Sequence, residues 1–131
     1  MILVTTKIDY ADAHRILYEF YQQRYVGHTV SFSIEDQTTV RYDSDGDAYK
    51  VTEKVGKLVI SKPIKGLENH VLSFEQTIPN LEMRKILLEL LNVIFADENL
   101  SVSGIVFKSN QIDLAVNEID VKKLTLNRGT K

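Results

Sequence analysis

The sequence predicts an α+β fold: an antiparallel meander sheet with two main helices packed on one face and a C-terminal hairpin. Apolar and polar residues alternate between positions 29 and 62, which is typical of half-buried strands. Apolar residues recur at helical spacing over residues 10–25 and 81–97. Because the alternation leaves one side of the sheet polar, both helices are expected on the other side.

Length and composition indicate one soluble domain spanning residues 1–131, with 44% hydrophobic and 26% charged residues. The net charge of -2 is no bulk signal for nucleic acid or membrane binding. The chain has no cysteine, which excludes disulfides, thiolate nucleophiles and cysteine metal ligands and suits a reducing compartment. The apolar start is too short for a signal peptide, and no stretch approaches a membrane span, so we expect a cytoplasmic protein.

The N-terminal part predicts a short strand over residues 2–6 and then a helix. Asp9 can cap this helix, and Asp12 lies in the first turn, where a negative charge suits the helix dipole. Gly27 lies where the helix would stop.

The meander is predicted as four strands over residues 29–62, with turns at 35–37, at Asp45-Gly46 and at Gly56. Asp-Gly between alternating apolar residues is a strong hairpin signal, because both central residues need positive φ. A two-residue turn there would place Tyr42 opposite Tyr49 and all apolar pairs on one face.

The same turn resembles the opening of a calcium loop, since Asp43, Asp45 and Asp47 occupy the first, third and fifth positions. However, the sixth position is Ala48 instead of glycine, and the twelfth is Lys54 where a bidentate carboxylate is needed. The pattern therefore favours a turn, and we predict no metal site.

The second half predicts a loop at residues 63–69, a strand at 70–76 and a helix at 81–97 with Asn80 as its N-cap. A hairpin turning at Ser109 and Asn110 follows. After it we expect one more short strand and a frayed basic tail.

The first helix carries a second apolar stripe beside its core stripe, and together they span roughly 200° where one core face needs about 100°. This tyrosine stripe is the predicted partner-binding surface and comprises Tyr10, His14, Tyr18, Tyr21 and Tyr25. Tyrosine is enriched at interfaces, but the same residues could simply edge the core. The second helix is also apolar over more than half its circumference, and two such helices favour a homodimer.

The polar face of the predicted sheet collects four cations, which form a candidate anion-binding face. They are Arg41, Lys50, Lys54 and Lys57. Phosphate contacts alone would give salt-sensitive, sequence-blind binding. The aromatic residues needed for base stacking point to the other face, so a solvated polar face is the competing interpretation.

No catalytic residue, cofactor or metal site is predicted. The three histidines lie in separate segments without metal spacing, and no nucleophile elbow or phosphate loop is present. We therefore expect a small non-enzymatic binding protein that acts through protein–protein contacts, of the kind found as bacterial or phage accessory proteins. The alternatives are a nucleic-acid or polyanion binder, and a small-molecule protein or enzyme with a pocket between sheet and helices.

Overall fold

The computed structural model describes residues 3–119, apart from the side chains of residues 3, 4 and 68. The elements in chain order are β1 (Leu3–Ile8), α1 (Tyr10–Arg24), β2 (Thr29–Tyr42), β3 (Ala48–Ile64), β4 (Leu67–Ile78), α2 (Asn80–Ala96), β5 (Leu100–Phe107) and β6 (Ile112–Glu118). The short strand and the basic tail predicted near the C-terminus lie beyond position 119, outside the described residues.

Over residues 3–119 the strands form two antiparallel sheets of three strands each, with the orders β1-β6-β5 and β2-β3-β4. The predicted α+β class with an antiparallel meander, two helices and a C-terminal hairpin is therefore confirmed. The sequence did not indicate the partner of β1, which pairs with β6 and so joins the N-terminus to the C-terminal hairpin. Helix α1 packs on β2, whereas α2 packs on β5 and also contacts β3. Within the same residues, no helix is long and apolar enough to cross a membrane.

The meander has three long strands, so the prediction of four shorter ones was wrong. Strand β2 runs straight through the expected turn at residues 35–37, and Glu35 lies opposite Val55 in an unbroken ladder. Gly56 is also inside a strand, paired with Ile34 on one side and Ile78 on the other. Its missing side chain leaves room for the ring of Phe32, since a Cβ there would lie 2.8 Å from Phe32 Cε1.

The segment between β3 and β4 is shorter than predicted. The expected loop at residues 63–69 is wrong, because β3 extends to Ile64 and β4 begins at Leu67. Gly66 in the tight connection has φ 88°, a conformation that glycine adopts without steric cost. Strand β4 consequently runs through the whole region for which only residues 70–76 were predicted.

The β2–β3 hairpin turns where expected, but through a different loop. The N–H of Asp43 donates to Asp47 O (3.0 Å), and the N–H of Gly46, which has φ 84°, donates to Asp43 O (3.1 Å). These bonds define a three-residue loop with a left-handed glycine instead of a two-residue turn. Tyr42 therefore faces Ala48, and the predicted pairing of Tyr42 with Tyr49 is wrong by one residue.

The helix starts show one correct and one incorrect cap prediction. The Asp9 carboxylate accepts the N–H of Asp12 at 2.8 Å and caps α1 as predicted. Helix α2 has Pro79 at its N-cap, whereas Asn80 lies inside the first turn. The Asn80 side chain donates instead to Lys54 O at 2.8 Å and so ties the start of α2 to β3.

Both helices and both sheets contribute to one hydrophobic core. Its buried members are Ala13, Ile16, Leu17, Tyr21, Val30, Phe32, Leu58, Ile78, Met83, Leu87, Leu91, Val102, Ile105, Ile112, Leu114 and Val116. Burial of apolar surface at this scale dominates folding stability. Asn92 adds a polar link, because its side chain bonds the Val102 N–H (2.7 Å) and Val102 O (3.0 Å).

Candidate interaction surface

The tyrosine stripe of α1 lies against the rest of the chain. Tyr21 is only 4% exposed, belongs to the core and stacks on Phe32 with ring centroids 5.4 Å apart. The other four residues, Tyr10, His14, Tyr18 and Tyr25, are half-buried. Burial, with a smaller contribution from the Glu82 carboxylate, raises the pKa of Tyr21 to about 12.

Specific contacts within the chain explain much of the width of this stripe. His14 Nε2 hydrogen-bonds Phe32 O, which ties α1 to β2. The Tyr10 hydroxyl donates to Lys108 O in the β5–β6 connection, and Lys54 Nζ lies 4.7 Å from the centre of the Tyr10 ring. These contacts show what the stripe does inside the protein. Whether it also meets a partner stays a prediction.

The four predicted anion-binding cations do not share a face, so that part of the prediction was wrong. The observed register puts Lys50 and Lys54 on the helix side of the sheet, and Arg41 and Lys57 on the opposite side. Two errors explain this separation. The one-residue shift in the hairpin moves Arg41 to the face opposite Lys50 and Lys54. Because β3 has no turn at Gly56, Lys54 and Lys57 lie three residues apart in one strand and point to opposite faces.

Three of these cations also lie beside carboxylates. Lys54 contacts Asp36 (2.8 Å), and longer contacts of 4.0 Å join Arg41 to Glu53 and Lys57 to Glu75. Neighbouring carboxylates weaken the field that a polyanion would meet at these cations.

The aspartates of the β2–β3 turn act on the backbone. One carboxylate oxygen of Asp43 accepts the N–H groups of Asp45 and Asp47, each at 2.9 Å. This is the local bonding by which aspartate stabilises turns, so the segment is a turn as predicted, whereas the absence of a metal site stays a prediction. The three exposed carboxylates also come within 4.8 Å of one another, as acidic groups gathered around a tight turn do.

A shallow polar cleft lies where β3, the start of α2 and the end of β5 meet. Its volume is about 290 Å³, just below the range for ligand pockets, roughly 300–1,000 Å³. Its walls include Glu53, Lys54, Asn80 and Arg84. The Arg84 Nε–H is buried and has no acceptor among the described residues.

Strand β4 exposes four large apolar side chains, more than any other element of the described chain. Phe74 is 59% exposed, Val71 58%, Leu67 50% and Leu72 41%. Phe74 lies opposite Ile60, so Phe74 and Leu72 project from the same face of the sheet as the core residues Phe32 and Leu58. The apolar face of the meander therefore continues across β4, past the area that α1 covers.

The outer edge of β4 is open. Within the described residues β4 pairs with β3 alone, so half of its main-chain N–H and C=O groups point away from the sheet. Natural edge strands are usually protected by lysine, proline, inward charges or a covering element. Residues 67–78 contain no lysine, arginine or proline, and the pairing with β3 is regular from Val71 to Ile78.

Two other groups of exposed apolar residues lack this combination. Residues 37–52 form a two-stranded arm that β4 does not reach; among the described residues its strands also have open edges and expose Val40, Tyr42 and Tyr49, but Arg41, Lys50 and the acidic turn lie among them, as is usual for protected edges. The other group is Val93 and Ile94 near the end of α2, where a helix offers no strand edge to a partner. Strand β4 has both unpaired main-chain N–H and C=O groups along its outer edge and exposed apolar side chains, with no lysine or arginine among them.

Sequence reasoning missed this surface. Four exposed apolar residues lie in residues 67–78, but the expected loop at 63–69 removed Leu67 from the strand, and the strand order that leaves this edge open was not predicted. A count of charges along a full-length strand would have been the useful signal.

Comparisons with protein-family models, curated proteins and solved structures found no match for this chain.

Proposed function

We propose that the protein is a non-enzymatic binding protein that acts through protein–protein contacts, with the open edge of β4 as its docking element. The observation that carries this proposal is the coincidence, on one strand, of unpaired main-chain groups and of Leu67, Val71, Leu72 and Phe74 in exposed positions. Leu72 and Phe74 lie on the helix side of this strand and Val71 on the other side, and exposed apolar surface beside an open strand edge is typical of interaction sites.

Strand addition is the binding mode that this geometry supports. An extended segment placed beside β4 would receive main-chain hydrogen bonds along the regular stretch from Val71 to Ile78. Its side chains on the helix side would contact Leu72 and Phe74, which would supply the apolar part of the affinity. The absence of cysteine suits action in the cytoplasm.

The polyanion and small-molecule alternatives receive less support. The candidate cations are divided between two faces and lie beside carboxylates. The clefts near α2 are small and open, whereas ligand pockets usually enclose most of their ligand.

Site-specific photo-cross-linking in the native host tests the proposal. A photoreactive phenylalanine analogue at Ser73, an exposed β4 position, should yield an adduct with a defined protein. The same analogue at Gln37, on the arm, is the matched control and should yield none. The Ser73 adduct should disappear when Phe74→Lys is added, because a charge on that face opposes apolar docking. Equal adduct formation from Ser73 and Gln37, or none from Ser73, would exclude β4 as the docking element.

A further inference from the structure

We infer that the strand added to β4 is β4 of a second copy of this chain, so that two meanders join into one six-stranded sheet. This inference rests on the proposed function, since it names the partner of the same edge. A closed dimer needs an interface that is complementary to itself. The residues of β4 meet that condition in one register.

Two-fold symmetry restricts how two copies of β4 can pair. Antiparallel neighbours related by rotation require an axis normal to the sheet. Such an axis keeps the helix-side faces of both copies on the same side. Leu72 and Phe74 of one copy would then share a face with Leu72 and Phe74 of the other. The apolar surface left uncovered on each protomer becomes continuous in the dimer.

The side chains select the position of the axis. With the axis at Ser73, each Leu72 lies opposite a Phe74, and this pairing occurs twice. With the axis at Phe74, the two Phe74 rings face each other, but each Leu72 faces Gln76. With the axis at Leu72, the two Leu72 side chains face each other, but each Phe74 faces His70. Cross-strand aromatic–aliphatic pairs stabilise sheets, so the register centred on Ser73 uses the apolar residues most completely.

Charge is compatible with the same register. Glu75 lies opposite Val71, and its nearest cation in its own protomer is Lys57, at 4.0 Å. A register centred on Glu75 would instead oppose two carboxylates, which destabilises a strand pair. The partner strand is thus extended, apolar and weakly charged, and β4 of a second copy has that chemistry.

The lack of native cysteine allows a direct test of this register. A residue on the two-fold axis faces its own copy at about 4.5–5.5 Å between Cα atoms, within the disulfide range of about 4.4–6.8 Å. Ser73→Cys should therefore form a disulfide-linked dimer under mild oxidation. Glu75→Cys is the matched control. Its two copies would lie four residues apart along the strand, about 13 Å, and should cross-link at least ~10-fold more slowly.

Light scattering after size exclusion gives the second readout. The wild-type chain should have twice the mass of the 15.0 kDa protomer. Phe74→Lys should have the protomer mass with an unchanged circular-dichroism spectrum. Val40→Lys, a control at a residue of similar exposure on the arm, should remain a dimer.

Each other outcome overturns the inference in a defined way. A monomeric wild type in which neither cysteine variant cross-links excludes the second copy as partner. Cross-linking of Glu75→Cys but not Ser73→Cys excludes the register. If the wild type is monomeric and the photo-cross-linker at Ser73 captures a different protein, the dimer fails while the docking role of β4 stands. If it captures nothing, both fail.

Discussion

Gly56→Ala tests the side-chain packing on the helix side of the meander. The new Cβ would lie 2.8 and 2.9 Å from two ring carbons of Phe32 and 3.1 Å from Ile78 Cβ. Favourable carbon contacts lie at about 3.5–4.0 Å, so the ring or the strand must shift. Phe32 is buried and stacked on Tyr21, and Ile78 is buried too, so neither side chain has free space to move away from the new methyl group.

The expected magnitude follows from two opposing terms. Overpacking a core costs about 1–3 kcal/mol. Replacing a glycine inside a strand recovers about 0.5–1 kcal/mol of backbone entropy. The free energy of unfolding should therefore fall by up to about 2.5 kcal/mol.

Gly104→Ala is the matched control, because its Cβ would meet only Ala115 Cβ, at an ordinary 3.6 Å. It should keep the backbone gain without the clash. The two variants should therefore differ by about 1–3 kcal/mol in urea unfolding followed by circular dichroism. Equal stability of the two variants would refute the packing argument. In a Phe32→Leu background the cost of Gly56→Ala should shrink, since the ring that it strikes is gone.

Three further outcomes follow from the described contacts. Gly46→Val should cost about 1 kcal/mol or more of unfolding free energy, measured by thermal unfolding, because φ 84° is strained for a branched side chain. Added calcium should leave the melting temperature of the wild-type chain unchanged, and a clear rise in that temperature would contradict the turn interpretation. Asn92→Ala should cost about 1–3 kcal/mol, since it removes the side-chain partner of the Val102 N–H; an unchanged urea midpoint would contradict this. The raised pKa of Tyr21, about 12, contributes stability that is complete below pH 10 and is lost as the pH rises towards 12. Tyr21→Phe should therefore lose less stability than wild type between pH 7 and pH 11, and an equal loss would contradict the burial argument.

Local sequence patterns predicted the kinds of element well. The 3.6-residue period of α1 and α2 and the alternation of β6 depend on neighbours in sequence, and the structure has these elements close to the predicted bounds. The Asp9 cap was predictable for the same reason, since its partner is the amide of Asp12, three residues away.

The errors arose where a distant contact decides the outcome. Gly56 resembled a turn residue, but its role is set by the ring of Phe32 from the neighbouring strand. The hairpin register depended on a choice between two loops that share Asp45 and Gly46, and a shift of one residue moved Arg41 to the face opposite Lys50 and Lys54. The open edge of β4 follows from strand order in the sheet, which no local pattern contains.

Hydrogen exchange of β4, measured by mass spectrometry over a concentration series, is the most direct test of the docking role of this strand. If a second copy pairs with the edge, amides between Val71 and Ile78 should become more protected as protein concentration rises, and Phe74→Lys should abolish this dependence. Amides in the arm should exchange equally at all concentrations. Protection of β4 that is independent of concentration in the wild-type chain would contradict self-pairing at this edge.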